Sequence, residues 1–139
     1  MSAGAEDMEV AGIARVKLTP VAEETAAETE ISPDRAGELI ESGALLVDVR
    51  KPYEWEAGRI AGAQHIEMND LANSTESVPR DRPVVFYCRS GSRSALAAAA
   101  FRQAGWDAYN LDGGLTAWVE RGRELDPPDG EVAPPKPGT

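Results

Sequence analysis

The chain has 139 residues, 42% of them apolar, with one cysteine, one histidine and a formal net charge of −10. That length and apolar share suit one packed domain, while the acidity makes a poor match for nucleic acid or an anionic membrane, both of which are held by Lys and Arg. A lone cysteine cannot close an internal disulfide, no stretch reaches the length of a membrane span, and no basic start leads into an apolar one, so a cytoplasmic protein with a free thiol is expected.

The charge is concentrated at the ends. Residues 1–30 hold seven acids against two bases, and residues 126–139 hold three against one. Residues 1–28 mix Ala, Glu and Thr and predict an acidic mobile tail. From Asp126 the prolines Pro127, Pro128, Pro134, Pro135 and Pro137 predict a second, Pro-rich mobile tail over 126–139. The folded unit is then expected over 29–125.

In chain order, a short strand is expected before Ser32-Pro33, where Ser as N-cap and Pro at the first position open a helix carrying Ala36, Leu39 and Ile40 until Gly43. Leu45–Val49 and Val84–Tyr87 are unbroken apolar runs that predict strands covered on both faces, as in a parallel sheet. Between them, Tyr53–Ala57 predicts a short helix ended by Gly58, and Asn69–Ser77 a second before Pro79. Ser94–Ala104 predicts an alanine-rich helix closed by Gly105, Ala108–Leu111 a returning strand, and Leu115–Arg121 a final helix. Alternation of this kind implies an α/β fold with helices on both sides of one mostly parallel sheet. Trp55 and Trp118 are expected in the core, Trp106 partly exposed, and His65 as a structural histidine. Gly113-Gly114 is expected to form the turn that opens the final helix.

Cys88 heads the segment Cys88-Arg89-Ser90-Gly91-Ser92-Arg93-Ser94, between a strand and a helix. A thiol acts as a nucleophile in its thiolate form, so such a site must favour negative charge. A turn of small residues that opens a helix aims N–H groups and the positive helix end at one point, and Arg89 and Arg93 add full charges. The same features would bind an anionic substrate. For each arginine a bland role stays open: Arg93 knitting the loop through backbone carbonyls, Arg89 facing solvent. Asp48, at the end of an apolar run, is either a buried acceptor for a loop arginine or a turn former. The sequence has no CxxC, no zinc ligand set and no GxxxxGK[ST] phosphate loop, so neither metal nor cofactor is called for. With no second cysteine, a sulfur or oxygen carried on Cys88 must leave with an outside acceptor.

Three segments resemble the rhodanese-like domain family. They are Val47-Asp48-Val49-Arg50 with Tyr53-Glu54-Trp55, Gly58–Ala63 and His65-Ile66; the Cys88–Arg93 loop; and Leu111-Asp112-Gly113-Gly114 with Trp118 and Gly122. The resemblance implies a three-layer α/β sandwich and a sulfurtransferase of the single-domain thiosulfate type. In it Cys88 carries sulfane sulfur as a persulfide, the N–H groups of Arg89, Ser90, Gly91, Ser92, Arg93 and Ser94 hold the charge, and Asp48 supports them. The implied partners are a small anionic sulfur donor and a cyanide, thiol or protein acceptor, the chain acting as a monomer without cofactor. Related phosphatases and arsenate reductases use a longer loop, whereas four residues separate Cys88 from Arg93 here, which favours a sulfur-sized pocket. A phosphatase or arsenate reductase and a non-catalytic binding module are the alternatives. Where the family often has Gly-His-Ile the chain has Gly58-Arg59-Ile60, a change expected to affect the surface only.

Overall fold

The computed structural model describes residues 29–135, and the expected tail over 1–28 lies outside the described residues. Five strands form one all-parallel sheet: β1 (Glu30–Ile31), β2 (Leu45–Asp48), β3 (Gln64–His65), β4 (Val84–Tyr87) and β5 (Ala108–Leu111), in the order β1-β5-β4-β2-β3. β4 is central and buried along its whole length. Its side chains alternate between the faces, Val84 and Phe86 packing into one apolar cluster and Val85 and Tyr87 into the other, as the two-residue period of a strand requires.

Among the described residues the helices are α1 (Pro33–Glu41), α2 (Pro52–Ala57), α3 (Ser92–Gln103) and α4 (Gly114–Glu120). One face is covered by α3, whose Ala97 and Ala98 let it lie close to β4 and β5, and the other by α1 and α4 through Ala36, Leu115 and Trp118. This is the expected three-layer α/β sandwich. The Ser32 side chain accepts from the Arg35 N–H at 3.1 Å, so α1 starts where the Ser-Pro signal places it.

Several elements depart from expectation. The stretch expected as a helix over Asn69–Ser77 forms two 3₁₀ turns, Met68–Asn73 and Thr75–Ser77. Asn, Ser and Thr are weak formers of a continuous α-helix, and buried Leu71 and Val78 pin the stretch to the core. Trp106 is buried, its indole N–H donating to the Val78 carbonyl at 3.0 Å and its ring covered by the Arg80 guanidinium. Trp55 is only half-buried: it stacks on His65 with ring centroids 4.8 Å apart, and Arg59 lies over its ring. Those two residues hold each other outside the apolar clusters.

Of the Pro-rich mobile tail expected over 126–139, residues 136–139 lie outside the described residues, while residues 126–135 run against the domain. Asp126 forms a bridge with Arg59, the Glu131 N–H donates to the Ala57 carbonyl at 2.8 Å, and Ala133 is buried. Gly58 makes room for this contact, since a Cβ there would stand 2.7 Å from the Glu131 carbonyl oxygen.

Of the two roles open for Asp48, acceptor for a loop arginine is corrected: its side-chain partner is Arg50, two residues on, while its Oδ1 also accepts from the Arg50 N–H at 2.9 Å, as a turn former does. Both side chains are fully buried, Arg50 Nε and Nη2 donating to the two carboxylate oxygens at 2.9 and 2.7 Å and Nη2 also to the Gly58 carbonyl at 2.7 Å. This bidentate pair locks the end of β2 to the turn after α2. Replacing Asp48 with Ala strands a buried guanidinium, and a loss of about 3–5 kcal/mol is expected in urea denaturation.

Candidate active site

The site forms where β4 ends and α3 begins. Cys88 follows Tyr87, the last residue of β4, and is fully buried. The chain then turns through Arg89 and Ser90 to Gly91, whose φ of +100° lies in the left-handed region that glycine enters without steric cost. That conformation sends the Gly91 N–H to Cys88 Sγ at 3.1 Å. α3 starts at Ser92, so Arg93 and Ser94 fall in its first turn. From there Ser94 gives Sγ both its N–H, at 3.5 Å, and its hydroxyl, at 3.4 Å.

Neighbouring elements hold the loop's carbonyls away from the sulfur. The Leu115 and Thr116 N–H groups, in the first turn of α4, donate to the Cys88 and Arg89 carbonyls at 2.8 and 3.1 Å. Gly114 permits this approach, because a Cβ there would sit 2.5 Å from the Arg89 carbonyl oxygen. Asn110 on β5 ties down the Gly91 carbonyl through Nδ2 at 3.0 Å. Gly113-Gly114 therefore opens the final helix as expected and also braces the cysteine loop.

Burial pushes the Cys88 thiol up. The Ser94 hydroxyl, the Ser94 and Gly91 N–H groups and the Arg93 charge outweigh it, and the thiol lies below its ordinary value. Arg93 is held by Glu54, a nearly buried carboxylate on α2, through two parallel hydrogen bonds of 3.0 and 3.1 Å. The hydrogen bonds to Glu54 outweigh burial and raise the Arg93 guanidinium. Glu54 also accepts from the Lys51 N–H at 3.0 Å, and although burial raises its carboxyl, Arg93 and that N–H draw it below the usual range. A cavity of about 210 Å³ adjoins the loop, lined by Lys51, Tyr53, Glu54, Arg89, Arg93 and Pro135. Its rim carries Lys51, Arg89 and Arg93, of which Arg93 pairs with Glu54 and Lys51 with Glu67 at 3.4 Å.

The residues expected to act together, Cys88 through Ser94, thus share one loop and helix start, but their tasks differ. Gly91 and Ser94 contact the sulfur, Arg93 acts on it by charge, and Arg89 lines the cavity. Asp48 stands one ion pair away. His65 is tied to the Arg50 carbonyl at 2.7 Å and to the Trp55 ring, so the thiol's hydrogen-bond partners are Gly91 and Ser94. Lys51 was not singled out by sequence, and Tyr53 and Glu54 entered only as part of a resembling segment, not as site residues. The available signal was Lys51-x-x-Glu54, an acid at the third position of a short helix where it reaches back to the N-cap N–H. Among the described residues no cluster of His, Cys, Asp or Glu has metal-ligand geometry, and no helix is long and apolar enough to cross a membrane.

Because the chain has one cysteine, the thiolate absorbance near 240 nm titrates Cys88 alone below the tyrosine range. The midpoint is expected below the ordinary thiol value of about 8.5, and Ser94→Ala should move it upward by removing the hydroxyl donor. A wild-type midpoint at or above the ordinary value would contradict the electrostatics of the loop.

Comparison with known proteins agrees with this geometry. The thiosulfate sulfurtransferase GlpE of Pseudomonas aeruginosa is 40% identical over 89 residues, spanning 63% of this chain and 81% of that protein. The structure of a rhodanese-related protein from Thermoplasma volcanium superposes with a TM-score of 0.65 at 29% identity, covering 69% of this chain and 95% of that one. A Rhodopseudomonas palustris protein described as a possible tyrosine phosphatase superposes with a TM-score of 0.61 at 27% identity, covering 88% of this chain and all of that one. Residues 32–121 match the rhodanese-like domain, a span that contains both helix starts around Cys88, and the chain belongs to that family.

Proposed function

We propose that the chain is a sulfurtransferase that moves sulfane sulfur from thiosulfate or a similar small anion through a Cys88 persulfide to cyanide or a thiol. The observation that carries this is the set of three donors from Gly91 and Ser94 on a buried sulfur beside Arg93. Such a cradle stabilises a thiolate before reaction and a persulfide after it. The likeness to GlpE, a thiosulfate sulfurtransferase, supports the same chemistry.

In the first half-reaction the Cys88 thiolate attacks the outer sulfur of thiosulfate. The new S–S bond forms at Cys88 as the donor's S–S bond breaks, and sulfite leaves with the electron pair. Lys51, Arg89 and Arg93 offset the charge of donor and leaving group at the cavity rim. In the second, the acceptor attacks the terminal sulfur of the persulfide and the thiolate is restored. The sulfur that arrives is small, which suits a loop with four residues between Cys88 and Arg93.

The phosphatase alternative rests on the Rhodopseudomonas palustris likeness. It requires the loop to surround a tetrahedral phosphate, and aryl phosphate hydrolysis by the purified protein is the test that would favour it.

Intact mass after thiosulfate treatment is expected to rise by about 32 Da, one sulfur, in the wild type and not in Cys88→Ser. Thiosulfate-to-cyanide turnover in Cys88→Ser should fall below about a thousandth of wild type. Wild-type turnover should fall as pH drops through the lowered Cys88 pKa, since the protonated thiol is the inactive form. Retained turnover without the cysteine would overturn the assignment.

A further inference from the structure

The match to the rhodanese-like domain ends at residue 121, yet one wall of the cavity beside Cys88 comes from residue 135. The segment that supplies it follows a defined course. It leaves the core at buried Leu125, bridges Arg59 at Asp126, and contacts the C-terminal end of α2, where the Glu131 N–H meets the Ala57 carbonyl. It then runs back along α2 toward the helix start, and the Tyr53 hydroxyl donates to the Pro134 carbonyl at 3.2 Å. Pro135 arrives at the rim with Lys51, Arg89 and Arg93.

Two glycines make this path possible. A Cβ on Gly58 would meet the Glu131 backbone at 2.7 Å, and one on Gly130 would meet the Ala57 carbonyl oxygen at 2.8 Å. The two backbones are therefore closer than side chains would allow. Prolines at 134 and 135 restrict the backbone, so a few contacts suffice to hold the end in place.

We propose that the segment Asp126–Pro135 is a specificity element of this site, which with Tyr53 walls one side of the approach to Cys88 and limits donors and acceptors to small anions and slender thiols. The cavity of about 210 Å³ is below the roughly 300–1,000 Å³ of pockets for drug-sized ligands. The segment's contribution to that lining is Pro135, whose ring fixes its own backbone torsion. The inference rests on Cys88 as the reacting group, and its test separates the two ideas.

The experiment compares the full chain with a chain ending at Ala133 and with Tyr53→Phe, which keeps the ring and removes the donor to Pro134. For each, kcat/KM is measured with thiosulfate and with a bulky aryl thiosulfonate. Alkylation of Cys88 is timed in parallel with iodoacetamide and with a fluorescein-bearing iodoacetamide. Shortening the chain is expected to raise the bulky-to-small ratio about tenfold in both assays, with Tyr53→Phe moving it less in the same direction. Ratios within about twofold of the full chain in both assays would overturn the proposal. If no protein turns over thiosulfate, the sulfur-transfer function falls, and the alkylation ratio alone decides whether the segment is a wall.

Discussion

A buried sulfur that its neighbours bias toward the charged form is the constraint around which this structure is arranged. Removing a charge from water costs several kcal/mol per ion even in a relaxed protein, and Cys88 has no exposed surface to offset it. Two helix starts meet the need in different ways. The first turn of α3 turns donors toward Sγ, while the first turn of α4 takes the carbonyls of Cys88 and Arg89 that would otherwise face the charge. Left-handed Gly91 and the missing side chain of Gly114 let both helices crowd the same loop. Neither helix would serve without the parallel sheet, which brings the ends of β4 and β5 to the same edge.

Around this centre the charges are ordered in pairs. Asp48 and Arg50 are buried together and reach the Gly58 carbonyl at the end of α2. Glu54, on α2, then holds Arg93 in a fork that leaves its charge near the thiol. The first pair positions α2, and α2 positions the second. Arg93 is thereby held by a partner on another element, so its placement does not depend on the flexibility of a surface side chain.

Much of this was legible in the sequence. The apolar runs at Leu45 and Val84 marked buried parallel strands, Ser32-Pro33 marked a helix start, and the small residues after Cys88 marked a turn feeding a helix. These are local signals set by backbone preference and period. The partner of Asp48 was not legible, because Arg50, Arg89 and Arg93 offer the same chemistry and only the fold decides which lies within reach. Glu54 was hidden for the same reason, since its partner is far along the chain. The course of residues 126–135 was hidden because their composition matches unpacked chain. What holds it is space at Gly58 and Gly130, and a glycine in a sequence does not say whether it serves a turn or a close approach. The half-burial of Trp55 was likewise decided by a neighbour, His65, brought alongside by the pairing of β2 with β3.

The size of the cavity bears on the order of events during sulfur transfer. One recess serves a chain with a single thiol, and a donor resting there occupies the place an acceptor would need. Under the proposed chemistry the two substrates must take turns, so a high concentration of either one slows the cycle by sitting on the wrong form of the enzyme. Under that chemistry the loaded chain would release the spent donor first and hold its sulfur until an acceptor arrives.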